Sequence, residues 1–196
     1  MSRFAAALRG DIRGATIVEF AMVAPVLLLI VMGIFDLGYN MYTTSMLQGA
    51  IQQAARKATI EGSSVQSGLL DKIVADAVHA VVPGAAMTFT RKSYSSFSKV
   101  GKPEDYTDVN GDGICNGGEP FEDANRNGGW DRDRGRAGHG GARDAVLYTV
   151  DVRYPRAFPI APLIGMSSTF TAQAKTVLRN QPYNLQDLTV ATGNCP

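Results

Sequence analysis

The sequence predicts an α+β protein in which one long N-terminal helix spans a membrane and then packs on a small antiparallel sheet carrying a calcium-binding loop. Three observations predict it. The run from Ala21 to Phe35 is uncharged and continues into a half-polar helical pattern without a break. Two later segments alternate with period two, the signature of half-buried strands. Ahead of them lies a stretch rich in Gly, Asp and Asn whose spacing fits an oxygen-ligand loop.

Length and charge bound the rest. A chain of 196 residues with 45% hydrophobic content supplies one anchor and one modest domain, since a compact core takes on the order of 100 residues. Nineteen Lys and Arg against eighteen Asp and Glu give a net charge of +1, which marks no nucleic-acid partner. The informative charge is local: Arg3, Arg9 and Arg13 precede the apolar run, and acidic residues concentrate between Glu104 and Asp131.

A spanning helix needs about 20 mostly apolar residues. Ala15 to Leu37 provides them if Glu19 lies near one interface. The upstream arginines place the N-terminus in the cytoplasm by the positive-inside rule, so everything after Asp36 lies outside. A secretory signal peptide would share this beginning, but no small-x-small cleavage site follows Phe35. Instead Met46, Leu47, Ala50, Ile51, Ala54, Ala55 and Ala58 recur at three- and four-residue steps. Anchor and stripe read as one helix from Ala15 to about Ile60, roughly 70 Å long, with Pro25, Gly33 and Gly38 favouring some bend.

EGSSVQSG, residues 61–68, ends that helix by its Gly and Ser content. Leu69 to Val81 predicts a second helix stopped at Pro83-Gly84. Met87 to Phe97 alternates weakly. Val146, Tyr148, Val150, Val152 and Tyr154 alternate clearly, and Phe170, Ala172, Ala174, Thr176 and Leu178 repeat the period. Three antiparallel strands are therefore expected, the last two joined by an irregular loop carrying Pro155, Pro159 and Pro162.

Residues 101–143 show no periodicity, and a loop of that size is functional or disordered. DVNGDGICNGGE, from Asp108 to Glu119, matches the twelve-residue calcium loop position by position. Asp108, Asn110 and Asp112 alternate as ligands, Gly113 permits the sharp turn, Ile114 offers its carbonyl, Asn116 acts directly or through water, and Glu119 closes the site with both oxygens. A second run repeats the first half with Asp123, Asn125, Asn127, Gly128, the Gly129 carbonyl and Asp131. It departs at the end, where Arg134 stands in place of the closing glutamate. Asp131, Asp133 or Glu122 is then expected to fill the gap, by sharing between two ions. No flanking helix pair accompanies either loop, so calcium here supports the fold and does not open a helix pair. Cys115 and Cys195 can close one disulfide in an oxidising compartment, although spacing alone does not decide whether they meet.

Gly14, then Ala15-Thr16-Ile17-Val18-Glu19 and the apolar run, resembles the cleavage site of type IV prepilins. That resemblance implies a prepilin peptidase that cuts after Gly14, leaving Ala15 first and Glu19 fifth in the mature chain. It also implies that Glu19 pairs with the amine of a neighbouring subunit. More narrowly, Gly14, Val18-Glu19-Phe20, Pro25, Asp36-Leu37-Gly38 and Gln53-Ala54-Ala55-Arg56 resemble the TadE-like minor pseudopilins of tight-adherence (Flp-type) pilus systems. The major Flp pilins of those systems usually have Glu-Tyr where Glu19-Phe20 stands here, and they are very short chains, so a large outer domain favours the minor pseudopilin.

The resemblance implies a pilin-like organisation. Residues 1–14 form a cytoplasmic leader, 15–38 the transmembrane helix, 39–62 its outer continuation, and 63–196 a periplasmic α+β domain with the calcium loop at 105–135. Its implied partners are the inner membrane, other pilins or pseudopilins, the pilus assembly platform and the peptidase. The competing expectation is an uncleaved, membrane-tethered calcium-dependent adhesion or envelope module. No Ser/His/Asp or Cys/His arrangement supports an enzyme; His79 and His139 read as surface or loop residues.

Overall fold

In the computed structural model the described residues are 13–61, 67–180 and 189–196. The expected leader, apart from Arg13 and the backbone of Gly14, lies outside them, as do residues 62–66 of the expected helix stop. Helix α1 runs Arg13–Glu61 without interruption, Pro25 included. A second helix, α2, spans Ser67–His79. Six strands follow: β1 Ala86–Tyr94, β2 Pro120–Asp123, β3 Arg136–Ala137, β4 Ala145–Pro155, β5 Thr169–Arg179 and β6 Ala191–Asn194. The chain divides into two compact units: the described part of residues 1–42 with Pro155–Phe170, and Thr43–Tyr154 with Thr171–Pro196.

In the first unit, α1 carries a window of eighteen residues with mean hydropathy 2.6, none of it buried within the fold. Phe20, Met22, Val26 and Leu28 are all exposed. A core helix of a soluble domain would hide such a surface, so its apolar faces call for lipid or another helix. The C-terminal end of this segment is different. Asp36 is buried and paired with Arg156, and its Oδ2 also accepts a bond from Asn40 Nδ2 at 3.0 Å. The ring of Phe158 stacks on Phe35 with centroids 6.1 Å apart.

The second unit holds the main core. Helix α1 contributes Leu47, Ala50, Ile51, Ala54 and Ala58, and α2 contributes Leu70, Val74 and Val78, all buried. This three- and four-residue spacing keeps one stripe of each helix inside. The sheet has order β3-β1-β4-β5, with β1 and β4 antiparallel in a register that sets Phe89 opposite Val150 and Thr90 opposite Thr149. Every second residue of β4 from Val146 to Tyr154 is buried, as a strand with one interior face requires. Tyr148 Oη donates to Asp71 Oδ1 at 2.6 Å, fastening α2 to the sheet.

Two features differ from the sequence expectation. The main sheet has a fourth strand, the two-residue β3 paired with the end of β1. A separate ribbon pairs β2 with β6, with Phe121 opposite Gly193. Both β2 and β3 lie within the stretch read as lacking periodicity, because two to four residues are too few to display a period. A disulfide joins Cys115 to Cys195, with Cα atoms 5.3 Å apart. These cysteines, Phe121, Tyr106 and Trp130 form a small second core under the ribbon.

Candidate metal-binding loops

Both Asp/Asn-rich loops are ordered by one hydrogen-bond plan. In the first, Asp108 Oδ2 accepts from Gly113 N at 2.9 Å, Asn110 Oδ1 from Asp112 N at 2.9 Å, and Asp112 Oδ1 from Ile114 N at 2.8 Å. In the second, Asp123 Oδ2 accepts from Gly128 N at 2.9 Å, Asn125 Oδ1 from Asn127 N at 3.0 Å, and Asn127 Oδ1 from Gly129 N at 2.8 Å. The fourth position of each loop is left-handed: Gly111 at φ 76° in the first, Arg126 at φ 63° in the second. Short Asp and Asn side chains favour such turns because they bond to their own downstream backbone.

The closing carboxylate repeats as well, from an unforeseen residue. Glu119 Oε1 accepts from Val109 N at 2.7 Å and Asn110 N at 3.3 Å, and its Oε2 from Asn116 N at 3.3 Å. In the second loop the equivalent three bonds come from Ala124 N at 2.8 Å, Asn125 N at 3.4 Å and Asp131 N at 2.9 Å. All three go to Glu104, which is 1% exposed. Arg134, the residue at the closing position in sequence, turns to Asp105 at 2.7 Å and Glu122 at 3.1 Å. Asp133 is held by Lys92 at 2.6 Å and Tyr94 Oη at 2.8 Å. Of the residues expected to fill the gap, only Asp131 faces the second loop, accepting from the amides of Asn125 at 2.7 Å and Asn127 at 2.5 Å.

Glu104 arrives there through strand pairing. Tyr106 bridges Phe121 in antiparallel sense, Thr107 N donates to Pro120 O at 2.9 Å, and Glu122 N to Asp105 O at 2.8 Å. Continued one way, that register sets Asp108 opposite Glu119; continued the other way, it sets Glu104 opposite Asp123. Each loop thus begins with an aspartate facing a glutamate across the same short ribbon. The disulfide and the bond from Cys195 N to Glu119 O, 2.8 Å, secure the first loop to the C-terminal strand.

The donor set is all oxygen. Loop 1 offers the carboxylates of Asp108, Asp112 and Glu119 with Asn110, Asn116 and the Ile114 carbonyl. Loop 2 offers Asp123, Asp131 and Glu104 with Asn125, Asn127 and the Gly129 carbonyl. Calcium takes six to eight such donors, so the residue chemistry fits. Among the described residues, however, no three His, Cys, Asp or Glu side chains converge as a ready cage. The amides of Asn110 and Asn116 donate to Asp112 Oδ2 at 3.0 and 2.7 Å. The Asn116 amide, the Ile114 N–H and the Asn110 amide hold the Asp112 carboxyl below the usual carboxylate range. It is therefore anionic at neutral pH.

The residues expected to serve cleavage and assembly belong to α1. Gly14 and Ala15 lie in the first turn of α1, and Glu19 is exposed one turn further on. Residues 14–56 match the family model described as TadE-like protein. The match covers the apolar stretch and most of its helical continuation, and leaves the Asp/Asn-rich loops and the sheet outside it. No curated protein and no solved structure gives a match to this chain.

Proposed function

We propose that this chain is a minor pseudopilin of a tight-adherence (Flp-type) pilus system, held in the inner membrane by α1 with its sheet domain in the periplasm. One observation carries the reading: the segment that matches the TadE-like family contains an unburied apolar stretch of helix, with Gly14 and Glu19 ahead of it. A lone carboxylate at bilayer depth costs roughly 2.5–3.5 kcal/mol. Cleavage after Gly14 by a prepilin peptidase creates an amine at Ala15, and that amine on a neighbouring pilin or pseudopilin compensates Glu19. The assembly platform then receives a helix whose Glu19 charge is compensated by a neighbouring subunit. The role is structural, not enzymatic.

In this reading both Asp/Asn loops hold structural calcium. Asp108, Asn110, Asp112, Ile114, Asn116 and Glu119 form one site; Asp123, Asn125, Asn127, Gly129, Asp131 and Glu104 form the other. Calcium supplies charge neutralisation to carboxylates that otherwise share amide protons, and extracytoplasmic modules of this kind bind at about 0.1–1 mM.

A Glu19→Ala strain tests the assembly role. The variant is expected to reach the membrane at wild-type level and to fail to restore pili in a deletion strain that the wild-type gene complements. Normal piliation by the Glu19→Ala chain, or by the deletion itself, rejects it.

A further inference from the structure

We propose that residues 156–168, between β4 and β5, form a second membrane-contacting element: a foot whose Leu163, Ile164 and Met166 enter the outer leaflet beside the anchor helix. This rests on the membrane-anchor reading of α1 and adds a lipid surface as the partner of a loop that the family match does not cover.

The segment lies within one compact unit with the anchor, and its contacts descend along it. Arg156 pairs with Asp36, Phe158 stacks on Phe35, and Ile160 Cδ1 lies 3.6 Å from where a Cβ on Gly33 would stand. Three alternate loop residues therefore meet the helix progressively nearer its apolar end, a fall of about 4.5 Å along the axis. Beyond them the chain makes a 3-10 turn at Ala161–Ile164. Leu163 is 72% exposed, Ile164 65% and Met166 50%. From Ala157 to Met166 there is no charged residue. Tyr42, exposed half a dozen residues above Asp36, suits the aromatic belt at the water boundary.

The backbone is also prepared for a water-poor setting, where unsatisfied N–H groups are costly. Pro159 and Pro162 have no N–H. Leu163 N donates to Ile160 O at 3.0 Å, Gly165 N to Pro162 O at 3.3 Å, and Met166 N to Ala161 O at 2.8 Å. The neck is closed by Arg156, whose backbone N donates to Ser168 O at 2.8 Å and whose Nε donates to Ser167 O at 3.1 Å. A loop facing bulk solvent gains nothing from three exposed apolar side chains within four residues at its tip, whereas an interfacial element gains with each one buried.

The test uses the full chain in phosphatidylethanolamine/phosphatidylglycerol vesicles, with an environment-sensitive fluorophore on Leu163→Cys, Leu29→Cys or Ser98→Cys. Both native cysteines are in the disulfide, so the introduced thiol takes the label. Nitroxide lipid is expected to quench position 163 about as well as position 29 and several-fold more than position 98, with aqueous iodide giving the reverse order. If position 163 behaves like 98 while 29 is quenched by lipid, the foot is wrong and the anchor stands. Shielding of 163 from both quenchers means that a protein face covers it, which also overturns the proposal. If 29 itself escapes the lipid quencher, the anchor reading fails and the foot falls with it.

Discussion

Replacing Glu104 by Gln distinguishes the two proposed calcium loops. Glu104 sits 19 residues ahead of Asp123 in sequence, yet both of its oxygens are committed to the second loop. Oε1 receives Ala124 N at 2.8 Å and Oε2 receives Asp131 N at 2.9 Å. Glutamine retains one carbonyl oxygen and sets an amide against the other donor, so at least one charge-assisted bond is lost along with the charge. Such a bond contributes about 1.5–3 kcal/mol, which corresponds to roughly ten- to a hundredfold in affinity. Calcium titration of the detergent-solubilised full chain, after chelator treatment, is expected to count two ions in the wild type. The Glu104→Gln chain should retain one and weaken the other by that factor, and Glu119→Gln should do the same to the first loop. Glu122→Gln is the control, because Glu122 bonds Arg134 and neither loop. Two unaltered sites in Glu104→Gln, or a weakened site in Glu122→Gln, would refute the assignment of Glu104.

Three further outcomes follow from the packing. Replacing both cysteines by Ser removes a link across 80 residues of chain; the loop-entropy estimate is about 4.5 kcal/mol, so the melting midpoint should fall by roughly 10–20 °C in urea-free thermal scans under non-reducing buffer. Gly193→Ala places a Cβ 2.5 Å from the Phe121 ring, an overpacking expected to cost about 1–3 kcal/mol and to raise hydrogen exchange in β2 and β6 before the main sheet. Arg156→Ala leaves the buried Asp36 with Asn40 alone; breaking such a pair costs about 3–5 kcal/mol, and limited proteolysis should then cut residues 156–168 faster while the β1–β4 pairing keeps its exchange protection.

How much of this was legible in sequence depended on distance along the chain. The anchor, the stripe of Leu47, Ala50, Ile51, Ala54 and Ala58, and the alternation of β4 are local patterns, and each reads directly from residue spacing. The turn geometry of the first loop was legible for the same reason, since the residues that form it fall within twelve positions. Glu104 was not, because its role depends on an antiparallel pairing of residues 105–107 with 120–122 that no short window contains. The β2–β6 ribbon and the Asp36–Arg156 pair are longer-range still, the latter spanning 120 positions. One signal was available for Glu104: a second loop with five good positions and an arginine at its end must borrow a carboxylate, and the nearest acidic residues outside the loops were few.

The reading of this chain as a pilus subunit turns on the bond after Gly14, and the mass of the mature N-terminus tests it most directly. Protein extracted from membranes of cells with an active prepilin peptidase should begin at Ala15 and lack the mass of residues 1–14. A chain that still begins at Met1 in those cells would contradict the pseudopilin account and leave an uncleaved, membrane-tethered calcium module in its place.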